Sequence, residues 1–247
     1  MRRGAWRVGP VLAIGVLASL AVVPAARAQP EVGPVTAADG ERLYATGCST
    51  CHGLRGEGSA LAPTLQGVGA ASVDFYLASG RMPLDNPDAQ AVRKPPAFDR
   101  AEIDAIVAHV TSFGPGGPPV PVINPASADL ADGGELYRSN CAACHGAAGI
   151  GGALAYGTQA PTLHPASSVQ VAEAMRIGPG SMPVFGADIL TDDQVQDIVR
   201  YVSYLDDPDD RGGFGLGHAG PIPEGFVGWL VGLGLLVGAC WWIGERE

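Results

Sequence analysis

One fifteen-residue phrase is written twice in this chain, as DGERLYATGCSTCHG from Asp39 and as DGGELYRSNCAACHG from Asp132, an offset of 93 residues. Such a repeat constrains the fold more than composition does, because two copies of one phrase imply two copies of one structural unit. Shorter echoes follow in the same order. APTL recurs at 62 and 160, and GRMP at 80 is matched by GSMP at 180. Each copy then closes on a helical pattern. Ile103, Ile106, Val107 and Val110 share one face, as do Val195, Ile198, Val199, Val202 and Leu205. Asp99 with Glu102, and Thr191 with Gln194, have the spacing of capping boxes at the starts of these helices. Short helices around Leu43–Tyr44 and Leu136–Tyr137 lead into the Cys motifs. No stretch alternates as a strand. The expected class is therefore all-α, with repeat units at 36–113 and 129–206. Between them GPGGPPVPVINPAS is too rich in Pro and Gly for helix or strand, so 114–128 reads as a linker.

The Cys motif carries the chemistry. CxxCH, present as Cys48, Cys51 and His52 and again as Cys141, Cys144 and His145, is the signature of covalent haem c attachment. Two thiols three residues apart on a helical turn can bond the two vinyl groups of one porphyrin, and the next residue projects an imidazole toward the iron. A redox dithiol does not need a His after its second Cys, and a four-Cys zinc site would leave both histidines idle. Two haems c are therefore expected. A haem used for electron transfer takes a sixth ligand, and a soft thioether favours the ferrous state. Met82 and Met182 stand at matching positions in Gly/Pro loops ahead of the closing helices, so His52 with Met82 and His145 with Met182 are the expected iron ligands. Met175 lies in a helical pattern and reads as core. The Pro63 and Pro161 carbonyls of the APTL loops are candidates to accept the second N–H of each ligand imidazole. His109, His164 and His218 do not recur and read as surface or linker positions.

The two ends place the units relative to a membrane. MRRGAWR, an apolar run of 13 and the small-residue ending AARA have the layout of a secretory signal over 1–28. The run is short of the roughly 20 residues a bilayer requires, although an uncleaved anchor is the alternative reading. Without this segment, which holds four Arg and no acid, the net charge moves from −10 to −14. An acidic chain with a single lysine, Lys94, argues against nucleic acid as a partner. After a second loop-rich linker at 207–224, the 20 residues Gly225–Gly244 carry no charge. At 1.5 Å per residue they reach roughly 30 Å, enough to span a membrane. Trp229, Trp241 and Trp242 lie near the ends, where indoles favour the interface. With an exported head, the expected topology is single-pass in the cell membrane, haem units outside and C-terminus cytoplasmic. Gly228/Gly232 and Gly234/Gly238 leave a smooth face on this segment, and Cys240 within it reads as an inert small hydrophobe.

The order helix, CxxCH, Pro loop, Met loop, helix resembles the class I cytochrome c fold in each half. Two such domains ahead of one C-terminal membrane helix resemble the dihaem cytochrome c subunit of menaquinol–cytochrome c reductase, the bc-type complex of actinobacteria. SGRMPLDNPDAQAVRKPPAFDRAEIDAIVAHV and GPIPEGFVGWLVGLGLLVGACWWIGERE are the stretches particular to that family, and the resemblance spans 39–247. It implies an electron-transfer subunit of a quinol–cytochrome c reductase with no independent catalytic site. It further implies that a Rieske iron–sulfur protein, beside a cytochrome b, delivers electrons that pass through two haems c to a terminal cytochrome oxidase in a supercomplex. The alternatives are a free membrane-tethered dihaem carrier, a cytochrome subunit of another dehydrogenase, or a dihaem peroxidase. The peroxidase would need one open sixth position, against which the paired methionines argue.

Overall fold

In the computed structural model, residues 36–209 and 221–245 are described, so the leader at 1–28 and His218 lie outside the described residues. In the first half, α1 (Ala37–Gly47) runs into the single turn α2 (Ser49–His52), followed by α3 (Ala70–Ala78) and α4 (Arg100–Thr111). The second half repeats the order with α5 (Leu130–Asn140), α6 (Ala142–His145), α7 (Ser168–Ile177) and α8 (Asp192–Tyr204). Its departure from an all-helical plan is a two-residue ladder, in which β1 (Gly152–Ala153) pairs antiparallel with β2 (Gln159–Ala160). A pairing this short leaves no alternation in the sequence to read.

Helix starts follow local chemistry. Asp99 accepts from Glu102 N at 2.9 Å while the Glu102 carboxylate accepts from Asp99 N at 3.0 Å. Thr191 and Gln194 form the same reciprocal pair at the start of α8. Each box satisfies amide donors that an open helix end would leave to water.

The first and last helices of each half then cross in contact, α1 on α4 and α5 on α8. The reason is one repeated glycine. A Cβ built on Gly40 would collide with the Ala105 carbonyl, and one on Gly133 with the Asp197 carbonyl, so only glycine lets the backbones approach this closely. Around these crossings Tyr44, Val73, Leu77, Ile103, Ile106 and Val110 form one buried cluster. Tyr137, Val171, Met175, Val195, Ile198 and Val199 belong to the other.

The two halves meet along α3 and α7. This makes α3 a helix with two buried faces: Val73 and Leu77 turn into their own core, while Asp74 and Phe75 are also almost fully covered. Opposite, Glu173 of α7 is fully buried, and neither carboxyl oxygen has a hydrogen-bond partner. The segment before α4 reinforces the seam. The Gln90 side chain accepts from Gln159 N at 3.1 Å and donates to Gln159 O at 2.9 Å, and Arg93 Nη2 donates to Gln170 Oε1 at 2.6 Å. The Pro- and Gly-rich stretch between the halves is pinned at both ends. Ala71 N donates to Pro118 O at 3.1 Å and Asn124 N to Gln196 Oε1 at 3.0 Å, with a 3-10 turn at Pro125–Ser127.

The last element is α9 (Pro221–Gly244). Its stretch Ile222–Gly244 is 23 residues and holds an 18-residue window of mean hydropathy 2.0, long and apolar enough to cross a membrane.

Candidate haem centres

Each Cys motif sits on a single helical turn held by the same three bonds. Cys48 N donates to Tyr44 O at 2.9 Å, and Cys141 N to Tyr137 O at 2.8 Å, so the turn continues the preceding helix. The tyrosine hydroxyls then close it from the other side. Tyr44 donates to Gly53 O and Tyr137 to Gly146 O, both at 2.7 Å. Burial pushes the Tyr44 phenol up to about 12 and that of Tyr137 above its ordinary value, so both stay protonated donors. The third bond returns the chain after the motif. Gly58 N donates to His52 O at 2.7 Å and Gly151 N to His145 O at 2.8 Å. The Leu-Tyr pairs read from sequence as helical positions, and their second role, closing the motif, depends on where the chain returns. The signal was present, since both tyrosines recur at the same distance before their motif.

The imidazoles are oriented by backbone carbonyls. His52 Nδ1 lies 2.9 Å from Pro63 O, and His145 Nδ1 lies 3.0 Å from Pro161 O. A carbonyl can only accept, so the proton is on Nδ1 and the Nε2 lone pair is free to bind a metal. Burial lowers the pKa of His145, the Pro161 contact offsetting part of that, which keeps the ring neutral and its lone pair available.

Cys48, Cys51, Cys141 and Cys144 are all unpaired thiols. Burial, with a smaller contribution from the neighbouring Cys of each motif, pushes Cys48 and Cys141 up to about 11. Met82 packs half-buried against the first core and Met182 against the second. Met175 is 2% exposed in the second core.

A cavity of about 610 Å³ opens beside the second motif. Cys141, Cys144, His145 and Met182 line it, with Leu163 and Phe185 among its apolar walls. That volume is in the range of sites that enclose a cofactor. Among the described residues no three His, Cys, Asp or Glu side chains group to hold a bare metal ion. A porphyrin brings four nitrogen donors of its own, so one imidazole and one thioether beside two thiols suit a haem. The residues fit that group.

Part of the cavity wall comes from the other half of the chain. Phe75, Tyr76, Arg81, Gln90 and Arg93 all face it. No local pattern announces this contact, because a residue acting across the unit boundary has no counterpart in the repeat. Of the non-recurring histidines read as surface positions, His109 is half-buried between Tyr44 and Phe113, with ring centroids at 5.3 and 4.9 Å. His164 Nδ1 meets Asp206 Oδ1 at 2.6 Å.

Comparison with known proteins agrees with the two-part organisation. The family model for Cytochrome c matches residues 37–113, and that for Cytochrome C oxidase, cbb3-type, subunit III matches 128–202. The chain is 41% identical over 246 residues to the cytochrome bc1 complex cytochrome c subunit of Mycobacterium tuberculosis, covering 96% of this chain and 87% of that one. To the corresponding subunit of Corynebacterium diphtheriae it is 39% identical over 227 residues, covering 85% and 80%. A shorter likeness, 40% over 78 residues, links it to the cytochrome c6 of Leptolyngbya boryana, covering 30% of this chain and 91% of that protein. With two matched cytochrome c domains and full-length relatives at this identity, the chain belongs to the family of cytochrome bc1 complex cytochrome c subunits.

Proposed function

We propose that this protein is the dihaem electron-relay subunit of a membrane-bound menaquinol–cytochrome c reductase. In this reading residues 36–113 and 129–206 are two class I cytochrome c domains joined by 114–128. Cys48 and Cys51 attach one haem c and Cys141 and Cys144 the other. His52 with Met82, and His145 with Met182, ligate the irons, and the Pro63 and Pro161 carbonyls fix the imidazoles. The haem, when bound, supplies the one-electron redox change. The chain supplies attachment, orientation, a soft sixth donor and a dry surround. Electrons arrive from a Rieske iron–sulfur protein held beside cytochrome b and leave to a terminal oxidase in a supercomplex. Residues 1–28 direct export, and 225–244, after the 207–224 linker, anchor the head outside with the C-terminus in the cytoplasm.

The observation that carries this reading is the recurrence of one complete donor set. Each half pairs a CxxCH turn locked by a buried tyrosine with an imidazole held by a proline carbonyl. A single carrier would need this once. A fixed subunit serving a donor and an acceptor at different surfaces needs two stopping points. The test is purification in mild detergent. Two covalent haems per chain should accompany cytochrome b and an iron–sulfur protein in the same particle. A particle lacking those two subunits would leave a tethered carrier, not a reductase subunit.

A further inference from the structure

We propose that Arg81 and Arg93 of the first domain hold the propionate groups of the haem attached in the second, so that one domain supplies the cationic wall of the other's site. The proposal rests on the dihaem reading above. Its starting point is an anomaly of burial. Arg81 is 7% exposed, and its Nη1 is buried with no hydrogen-bond partner. Burying an unpaired guanidinium is costly, and such groups are retained where an anion meets them. Arg81 lines the cavity beside Cys141 and His145 although it belongs to the first domain. Its guanidinium lies 4.7 Å from the centre of the Phe75 ring, which fixes its plane and leaves its edge for hydrogen bonding.

Charge points the same way. With the His145 ring neutral, Arg81 and Arg93 are the two cationic side chains among the described residues lining the cavity, against one acid, Asp88. The second domain contributes neither. A haem carries two propionates on the edge away from its vinyl groups, and Cys141 and Cys144 claim the vinyls. Two guanidiniums match two carboxylates, each able to meet one through paired N–H donors. Arg93 keeps donors to spare, because Gln170 engages its Nη2.

The segment that presents Arg93 is fixed in place. Gln90 is bonded twice to the Gln159 backbone, and Lys94 Nζ donates to Pro83 O at 2.9 Å. The repeat offers no equivalent in the opposite direction, since the position matching Arg81 in GRMP is Ser181 in GSMP. The device therefore runs one way, from the first domain onto the second haem.

A nearby cation favours the reduced haem, which carries one positive charge fewer than the oxidised one, and it masks a carboxylate that would oppose reduction. The test is a redox titration of the full chain in detergent, with haem content measured in parallel. The second domain's wave is assigned as the one Met182→Ala displaces and Met82→Ala does not. In Arg93→Gln, that haem's reduced-to-oxidised ratio at fixed potential should fall about tenfold, equivalent to about 59 mV. Arg81→Gln should lower it further, and Arg93→Lys should recover most of the loss. Arg138→Gln removes an exposed charge from α5 without touching the cavity and should move neither wave. Should Arg81→Gln fail to fold, the Arg93 pair decides. Two attached haems with both waves unmoved in Arg93→Gln would overturn the propionate assignment and leave the dihaem reading standing. A wild-type chain with no haem on Cys141 and Cys144 would overturn both.

Discussion

The Tyr137 hydroxyl donates to the Gly146 carbonyl at 2.7 Å, nine positions along the chain, closing a loop around the second Cys motif. Tyr44 and Gly53 do the same around the first. Because Tyr137 is fully buried, water cannot replace its hydroxyl once it is removed. Tyr137→Phe keeps the ring and leaves a carbonyl without its donor, which costs about 1–3 kcal/mol. The expected outcome is a lower denaturant midpoint for the second domain with haem still attached. Tyr44→Phe should lower that of the first domain instead. An unshifted midpoint in both would show that solvent reaches these carbonyls.

Met182→Ala tests the sixth ligand of the second centre. Loss of the thioether should convert one haem from low-spin to high-spin in the visible spectrum. It should also lower that haem's reduced-to-oxidised ratio at fixed potential by at least about tenfold, because a soft sulfur donor favours the ferrous iron. Met82→Ala should act on the other haem alone. A titration curve identical to wild type would remove that methionine from the ligand set. Met175→Leu, a near-isosteric change in the core, should leave both spectra alone.

How far the sequence could be read depends on whether a residue acts within its own repeat. The Cys motifs, the APTL and Met loops, and the capping boxes at Asp99 and Thr191 are local phrases, so their spacing was enough to find them. The two tyrosines were visible as recurrences, and their role required knowing where the chain returns after the motif. Arg81, Gln90 and Arg93 act across the seam between α3 and α7, a contact no periodicity encodes. Asp74 and Glu173 are acidic residues on helices, which sequence reasoning assigns to solvent, yet both are buried there. The Pro- and Gly-rich stretch at 114–128 reads from sequence as free of helix and strand, whereas the fold places a 3-10 turn at Pro125–Ser127 and packs the stretch against both halves.

Gly133→Ala probes the helix crossing. The added methyl collides with the Asp197 carbonyl, a backbone atom that cannot rotate away, so α5 and α8 must separate. Forcing a methyl into such a contact costs roughly 1–3 kcal/mol. Chemical denaturation followed at the second haem's absorbance should show the loss. Gly40→Ala should produce the same effect in the first domain, where the Ala105 carbonyl is the obstacle. A neutral result in either would mean the helices can slide apart without losing core contacts.

Glu173 gives the seam between the domains a pH dependence. Burial pushes its carboxyl up to about 8 from an ordinary 4.5, the charge of Asp74 adding to the rise and Arg100 opposing it. Arg100 is itself bonded to Asp74 at 2.7 Å, so its charge is already shared. A raised carboxyl pKa means that the folded chain holds a proton the unfolded chain releases. Stability from this group is therefore fully present below about 4.5, declines as pH rises through the window to about 8, and changes no further above it. Within the window the slope reaches at most about 1.4 kcal/mol per pH unit. Carboxylates with lowered pKa values, Asp39 and Asp129 among them, act in the opposite sense and only at lower pH. Between pH 5.5 and 7.5, where the lowered pKa of His145 works in the opposite sense, thermal melts of the wild type should carry a falling contribution from Glu173. Glu173→Gln, which keeps the shape and cannot ionise, should flatten that slope and be the more stable protein at pH 7.5. Parallel slopes in the two proteins would show that Glu173 does not hold its proton through this window in the folded chain.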